Sequence, residues 1–188
     1  RDGTTKLMTK LRAEIAAGDP RPDVLLIADT VTLEGLKQEG DLQAYKSPEA
    51  KAFPDALYDA DGYYYSTKLI TTGIVYNPGA SKKPTSGKDL VDPALKNQVA
   101  MPSPLYSGAA LIHLSTLTEN PDLGWDYYKK LAANNARAKG GNGGTFKAVA
   151  SGEKPYGVVV DFLAIRSKQK GSPVDFVFPK EGVTYVTE

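Results

Sequence analysis

The chain has 188 residues, 41% hydrophobic and 24% charged, which excludes disordered and fibrous classes and leaves an ordinary globular protein able to bury a core. Its 23 Lys and Arg stand against 22 Asp and Glu and are spread along the chain, which argues against a nucleic-acid surface with its concentrated positive field. Cysteine is absent, so disulfide frameworks and thiolate metal or redox sites are excluded, a usage that suits the bacterial periplasm. In chain order, Leu7, Met8, Leu11 and Ile15 recur at helical spacing and predict an amphipathic helix over residues 4–17 that Gly18 stops. The continuous apolar run at residues 23–28 predicts a strand buried on both faces, as in a parallel sheet. Asp29 and Thr30 then cap a short helix through Glu39, closed by Gly40.

Residues 48–54 read as irregular, and residues 63–77, rich in Tyr, Thr, Ile and Val, as a long strand-prone segment ended by Asn77-Pro78-Gly79. After a loop to Gly87 the alternation restarts: strand 98–101, helix 107–118, and helix 122–134 with Trp125, Tyr128 and Leu131 on one face. Beyond the glycine cluster at 140–144 follow a helix to Ser151, a buried strand at 156–160, a helix to Lys170 and a strand at 174–178. The β-prone segment 182–186 returns to the first unit. The expected class is therefore α/β. The apolar runs are far too short to span a membrane, and no signal-peptide pattern opens the chain, so an exported form would carry a leader beyond this sequence.

Four positions fall where α/β sheets hold ligands, beyond the carboxyl ends of strands. Pro102-Ser103-Pro104-Leu105-Tyr106-Ser107-Gly108-Ala109-Ala110 leads a strand into a helix, and the small residues of the first turn let an anion approach its free N–H groups; a plain proline-stiffened cap is the other reading. Gly140 to Lys147 is a glycine-dense opening to a helix, with Thr145 free to cap or to touch a ligand, or else a mobile turn; P-loop spacing is absent. Asp2-Gly3-Thr4-Thr5 sets two hydroxyls at the first helix start, and Ala28-Asp29-Thr30 ends the first strand. Asp161, after Gly157-Val158-Val159-Val160, either pairs with a ligand ammonium or caps the next helix. Among Tyr63, Tyr64 and Tyr65, the first and third share a strand face, and Tyr65 is taken as the ring that covers a ligand; Thr72 completes the set of contacts.

Catalytic readings lack motifs. The single histidine, His113, lies among apolar helix residues and reads as packing. H-E-x-x-H and G-x-S-x-G are absent. No metal site or cofactor is expected.

The stretches D-V-L-L-I-A-D at Asp23, T-T-G-I-V-Y-N at Thr71, M-P-S-P-L-Y-S-G-A-A at Met101, V-A-S-G-E-K-P-Y-G-V at Val149 and G-S-P-V-D-F-V-F-P-K-E-G at Gly171 occur in the order found in extracellular solute-binding proteins of ABC importers. The chain resembles the type II periplasmic binding proteins of the ferric, polyamine and phosphonate-binding group. That resemblance implies two α/β lobes joined by hinge strands: a partial, truncated lobe I over residues 1–75, lobe II over 76–181, and a hinge strand at 182–188 returning to lobe I. Family chains are longer, with a strand and helix before Arg1 and helices after Glu188. The implied life is that of a periplasmic or membrane-tethered extracellular monomer. It would trap a small anionic or zwitterionic solute and dock on a permease, without contacting nucleic acid or entering the membrane.

Ferric-binding members carry adjacent tyrosines after the strand that matches residues 157–160, whereas this sequence has Asp161-Phe162-Leu163, which disfavours iron. Together with D-G-T-T-K-L-M at Asp2, the pattern looks most like the 2-aminoethylphosphonate-binding branch. The resulting expectation is an oxyanion held by Thr4, Thr5, Ser103, Ser107, Gly108 and Ala109, with an amine held by Asp161 and Asp29. Thr30, Tyr65, Thr72 and Thr145 are further contacts. A ferric carrier, an enzyme acting on a phosphorylated metabolite, and a sensor domain of the same fold are the alternatives.

Overall fold

The computed structural model describes residues 2–187. Six α-helices and one six-stranded sheet alternate through it: α1 (Thr4–Ala16), α2 (Thr30–Glu39), β1 (Leu69–Tyr76), β2 (Val99–Met101), α3 (Gly108–Thr118), α4 (Gly124–Ala133), β3 (Arg137–Ala138), α5 (Asn142–Ala150), β4 (Tyr156–Val160), α6 (Asp161–Gln169), β5 (Asp175–Val177) and β6 (Thr184–Thr187). Residues 48–54, read as irregular from sequence, include a 3-10 turn at Pro48–Ala52 that the Ser47 hydroxyl caps.

The sheet runs β3-β2-β4-β1-β5 with β6 also on β1. It is mixed rather than parallel: β2 pairs parallel with β3 and β4, whereas β1 runs antiparallel to β4, β5 and β6. One edge of β1 pairs with β4 from Thr72 to Tyr76; its other edge takes β6 over Leu69–Thr72 and β5 over Ile74–Tyr76. Thr72 is thus opposite both Val160 and Thr184, and β1 spans the whole molecule. Gly73 permits this crowding, since a Cβ there would stand 2.6 Å from the Phe176 ring and 2.8 Å from the Val177 carbonyl.

The core follows from the apolar runs of β1 and β4, every residue of β4 being buried. On one side Ile74, Val99, Tyr156 and Val158 meet Leu90, Tyr127 and Leu131. On the other, Val75 and Val159 meet Val149, Ala164 and Val174. In α4 the inward residues are Tyr127 and Leu131, four apart, with Trp125 61% exposed. Of the expected face of Trp125, Tyr128 and Leu131, only Leu131 is fully buried, and Tyr127 takes the inward position beside it.

Two further expectations are corrected. Residues 23–28 form no strand: among the described residues nothing pairs with them, Val24 is 85% exposed and Leu26 59%, and only Ile27 is fully buried. Leu25 and Ile27 turn inward onto Met8 and Leu36 between α1 and α2, so the run is buried on one face only. A strand buried on both faces needs packing elements over each face, and here the face of Val24 and Leu26 is exposed. Residues 63–68 lie outside β1, with Tyr65 forming only an isolated bridge to Tyr58.

Candidate functional site

Four helices, α1, α3, α5 and α6, begin at one cleft of about 610 Å3, and of their first turns that of α6 holds an acidic residue, Asp161. The cleft walls are the start of α1, residues 26–28, the turn before α3 with Ser107, Gly108 and Ala109, the glycines that open α5, and Ile70, Val160, Phe162 and Leu163 from the sheet and α6. The sequence folds so locally because small residues stand where the helices converge. A Cβ on Gly108 would lie 2.6 Å from the Ala28 carbonyl and 2.9 Å from Thr4 Oγ1, so glycine allows α3 to start against α1 and the 28–29 backbone.

The helix starts share an electrostatic character. The first turns of α1, α3 and α5 hold no acidic residue, and Gly3 and Gly141, the N-caps of α1 and α5, have no side chain to cap with. Their leading N–H groups and the positive ends of the dipoles are therefore left to whatever enters the cleft. At α3 the Ser107 hydroxyl accepts from Ala110 N at 3.3 Å and from Asn142 Nδ2 at 3.1 Å, while Asn142 Oδ1 accepts from Val160 N at 3.1 Å. Asn142 thus ties the starts of α5 and α3 to the end of β4. Among the described residues, those lining the cleft include no lysine, arginine or histidine, and one carboxylate, Asp2.

Asp2 is held by three donors: Lys6 Nζ at 2.5 Å, the Tyr106 hydroxyl at 2.8 Å and Gly3 N at 3.0 Å. The Lys6 ammonium first, then Tyr106 and the Gly3 amide, lower its pKa to about 2, so it is ionised at any physiological pH. Tyr106 fits where glycine makes room, since a Cβ on Gly3 would approach its ring to 2.7 Å and one on Gly141 to 2.9 Å.

Of the residues expected to touch ligand, Thr4, Ser107, Gly108 and Ala109 line this cleft together. The others stand apart. Thr5 is exposed, and the Ser103 hydroxyl accepts from Leu105 N at 3.2 Å within its own turn. Asp29 is 2% exposed and consumed as the N-cap of α2, accepting from Val31 N at 3.1 Å, Thr32 N at 3.2 Å and the Thr32 hydroxyl. Asp161 opens α6 and accepts from Thr71 Oγ1 and from Phe162 N, both at 2.6 Å; its neighbours Val160 and Phe162 reach the cleft. Thr72 is buried beside His113 and Thr184, whereas Thr30 and Tyr65 border separate depressions. Tyr65 stacks on Tyr58 at 5.7 Å and donates its hydroxyl to the Tyr45 carbonyl at 2.7 Å. Thr145 is 3% exposed, because α5 begins at Asn142, inside the glycine cluster, and carries this residue into the core against Gly157.

His113 is buried, with Nδ1 3.0 Å from Thr184 Oγ1, and burial lowers its pKa to about 4. Sequence reasoning passed over Asp2, Tyr106 and Asn142 as site residues. Their signal was adjacency to Thr4, Ser107 and the glycine cluster, each being one or two positions from a residue already singled out.

The fold has solved counterparts. The periplasmic binding protein AfuA from Actinobacillus pleuropneumoniae, with exogenous fructose-6-phosphate bound, matches with a TM-score of 0.83 at 24% identity, over 100% of this chain and 64% of that one. The substrate binding protein of an ABC transporter from Agrobacterium tumefaciens matches at 0.87 with 16% identity, over 98% and 57%. Iron-bound HitA from Pseudomonas aeruginosa matches at 0.78 with 22% identity, over 100% and 63%. The chain therefore spans roughly three fifths of the length of these proteins and has the type II periplasmic binding protein fold. The family model of bacterial extracellular solute-binding proteins covers residues 19–187, and the chain belongs to that family.

Proposed function

We propose that this chain is the ligand-gripping part of a periplasmic solute-binding protein of an ABC importer, and that its solute is a small phosphorus oxyanion, with 2-aminoethylphosphonate favoured. The observation that carries the reading is the convergence of α1, α3 and α5 on one cleft with no acidic residue in any of their first turns. N–H groups at three helix starts stabilise an anion, while Asp2, the carboxylate among the described lining residues, sets a negative charge beside them. Thr4 and Ser107 add hydroxyls to it. AfuA, with fructose-6-phosphate bound, offers a phosphate ester as precedent within the fold.

Ferric ion is the less favoured cargo. The positions after β4 that reach the cleft are Phe162 and Leu163, which have no donor atom for a hard cation. Delivery would follow hinge motion of the parts joined by β1 and β6, and the closed form would dock on the permease. Binding and release, with no bond made or broken, is the whole task assigned to these residues.

The test is a thermal-shift screen of aminophosphonates, phosphate esters, inorganic phosphate, polyamines and ferric complexes, since a ligand of the native state raises the melting temperature. A rise with phosphorus oxyanions is expected. A rise with polyamines or ferric complexes alone would overturn the proposal.

A further inference from the structure

Three aspartates border the cleft region, and they differ in what their oxygens already hold. Asp29 is spent on the cap of α2, and Asp161 on Thr71 and the amide of Phe162. Asp2 alone of the three lines the cavity. Its Oδ1 takes the Gly3 amide and the Tyr106 hydroxyl, groups built into the wall. Its Oδ2 pairs with Lys6 Nζ at 2.5 Å, and the Lys6 side chain is 71% exposed. An exposed ion pair of this kind contributes little and exchanges readily, and a carboxylate oxygen has two lone pairs. Oδ2 therefore retains capacity for a second donor, while Oδ1 fixes where the carboxylate stands.

We infer that Asp2, positioned by the Tyr106 hydroxyl, is the specificity residue of this cleft: it accepts the ammonium of a zwitterionic phosphonate and disfavours anions that bring no cation with them. The inference rests on the phosphorus-oxyanion reading above and deepens it. Asp2 lies two residues before Thr4 in the same wall, so an oxyanion at the helix starts meets a fixed negative charge close by. A bare phosphonate meets that charge with only Lys6 to offset it, whereas an aminoalkyl phosphonate converts it into a charge-assisted hydrogen bond, so one residue attracts the preferred ligand and disfavours its analogue. Tyr106 acts through Asp2 and is a positioning residue. Lys6 competes with the ligand amine for Oδ2.

Titration calorimetry with 2-aminoethylphosphonate and ethylphosphonate, which differ in the amine alone, reads this as a ratio of affinities. The unsubstituted chain should prefer the amine-bearing ligand by roughly tenfold or more, the worth of one hydrogen bond between charged groups. Asp2→Asn should bring the ratio to near one, with ethylphosphonate tightened as the negative charge leaves. Tyr106→Phe should lower the ratio partway, and Lys6→Met, an exposed change that spares the fold, should raise it. A ratio near one in the unsubstituted chain, or one unmoved by both Asp2→Asn and Lys6→Met, overturns this inference while leaving the oxyanion site standing. Absence of binding by either phosphonate, by fructose-6-phosphate and by inorganic phosphate overturns the oxyanion reading and this inference with it.

Discussion

Replacing Gly108 by alanine sets two physical effects against each other, and the structure decides the sign. In a helix, alanine is favoured over glycine by about 1 kcal/mol. At Gly108, however, the added methyl would stand 2.6 Å from the Ala28 carbonyl oxygen, 2.9 Å from Thr4 Oγ1 and 3.2 Å from Asp29 Cβ. Thr4 can rotate away, but Ala28 is backbone and Asp29 is locked by its bonds to the first turn of α2, so something rigid must shift. Overpacking costs about 1–3 kcal/mol, and contact at 2.6 Å with a rigid backbone carbonyl puts this site in the upper half of that range, so against a propensity gain of about 1 kcal/mol the net loss is about 1–2 kcal/mol. Gly35→Ala is the matched control, since Gly35 lies inside α2 with nothing within 4 Å of the new Cβ, and it should stabilise by about 0.5–1 kcal/mol. Urea unfolding with a common slope measures both as shifts of midpoint in opposite directions. Gly108→Ala equal to or more stable than the unsubstituted chain would refute the close approach of α3 to residues 28–29, and with it the geometry of the cleft.

The cap of α2 gives a second test: Asp29→Ala should cost about 1 kcal/mol in the same assay and Asp29→Asn much less, because the amide oxygen still accepts from Val31 and Thr32. Lys37 bonds Asp59 at 2.6 Å and Asp61 at 3.0 Å, and Asp59, whose side chain is 9% exposed, is left with the Tyr63 amide when the ammonium is removed; Lys37→Met should lower the urea midpoint, and an unchanged midpoint would show the pair to be idle. His113 is an ordinary imidazole when unfolded but has a pKa near 4 when buried, so the unfolded state binds the extra proton between those values. Its contribution is complete above about pH 6.5 and is lost as pH falls toward 4, by about 3 kcal/mol in the limit. Urea midpoints should therefore fall between pH 6.5 and 5, a slope that His113→Gln removes.

Much of this was legible in the one-dimensional pattern. The apolar run of β4, the helical spacing of Leu7, Leu11 and Ile15, and the caps Asp29, Gly40 and Ser107 are local signals, in which a residue and its near neighbours determine the conformation. That small residues open α1, α3 and α5 was equally readable, because it depends on residue type at a few neighbouring positions. Residues 23–28 show where that reasoning ends: their apolarity was evident, but whether both faces are covered depends on partners that no local pattern names.

The sequence by itself determined where the helices lie and which of their starts are free of acid, since these depend on contacts within a few residues. Only the tertiary structure decided that Thr4, Ser107 and Gly108 share a cleft, that Asp161 is bound to Thr71 ninety residues away, and that Asp2 lines the same cleft beside Tyr106. The physical reason is that a carboxylate is available to a ligand according to the donors that reach it first, and those donors come from distant parts of the chain.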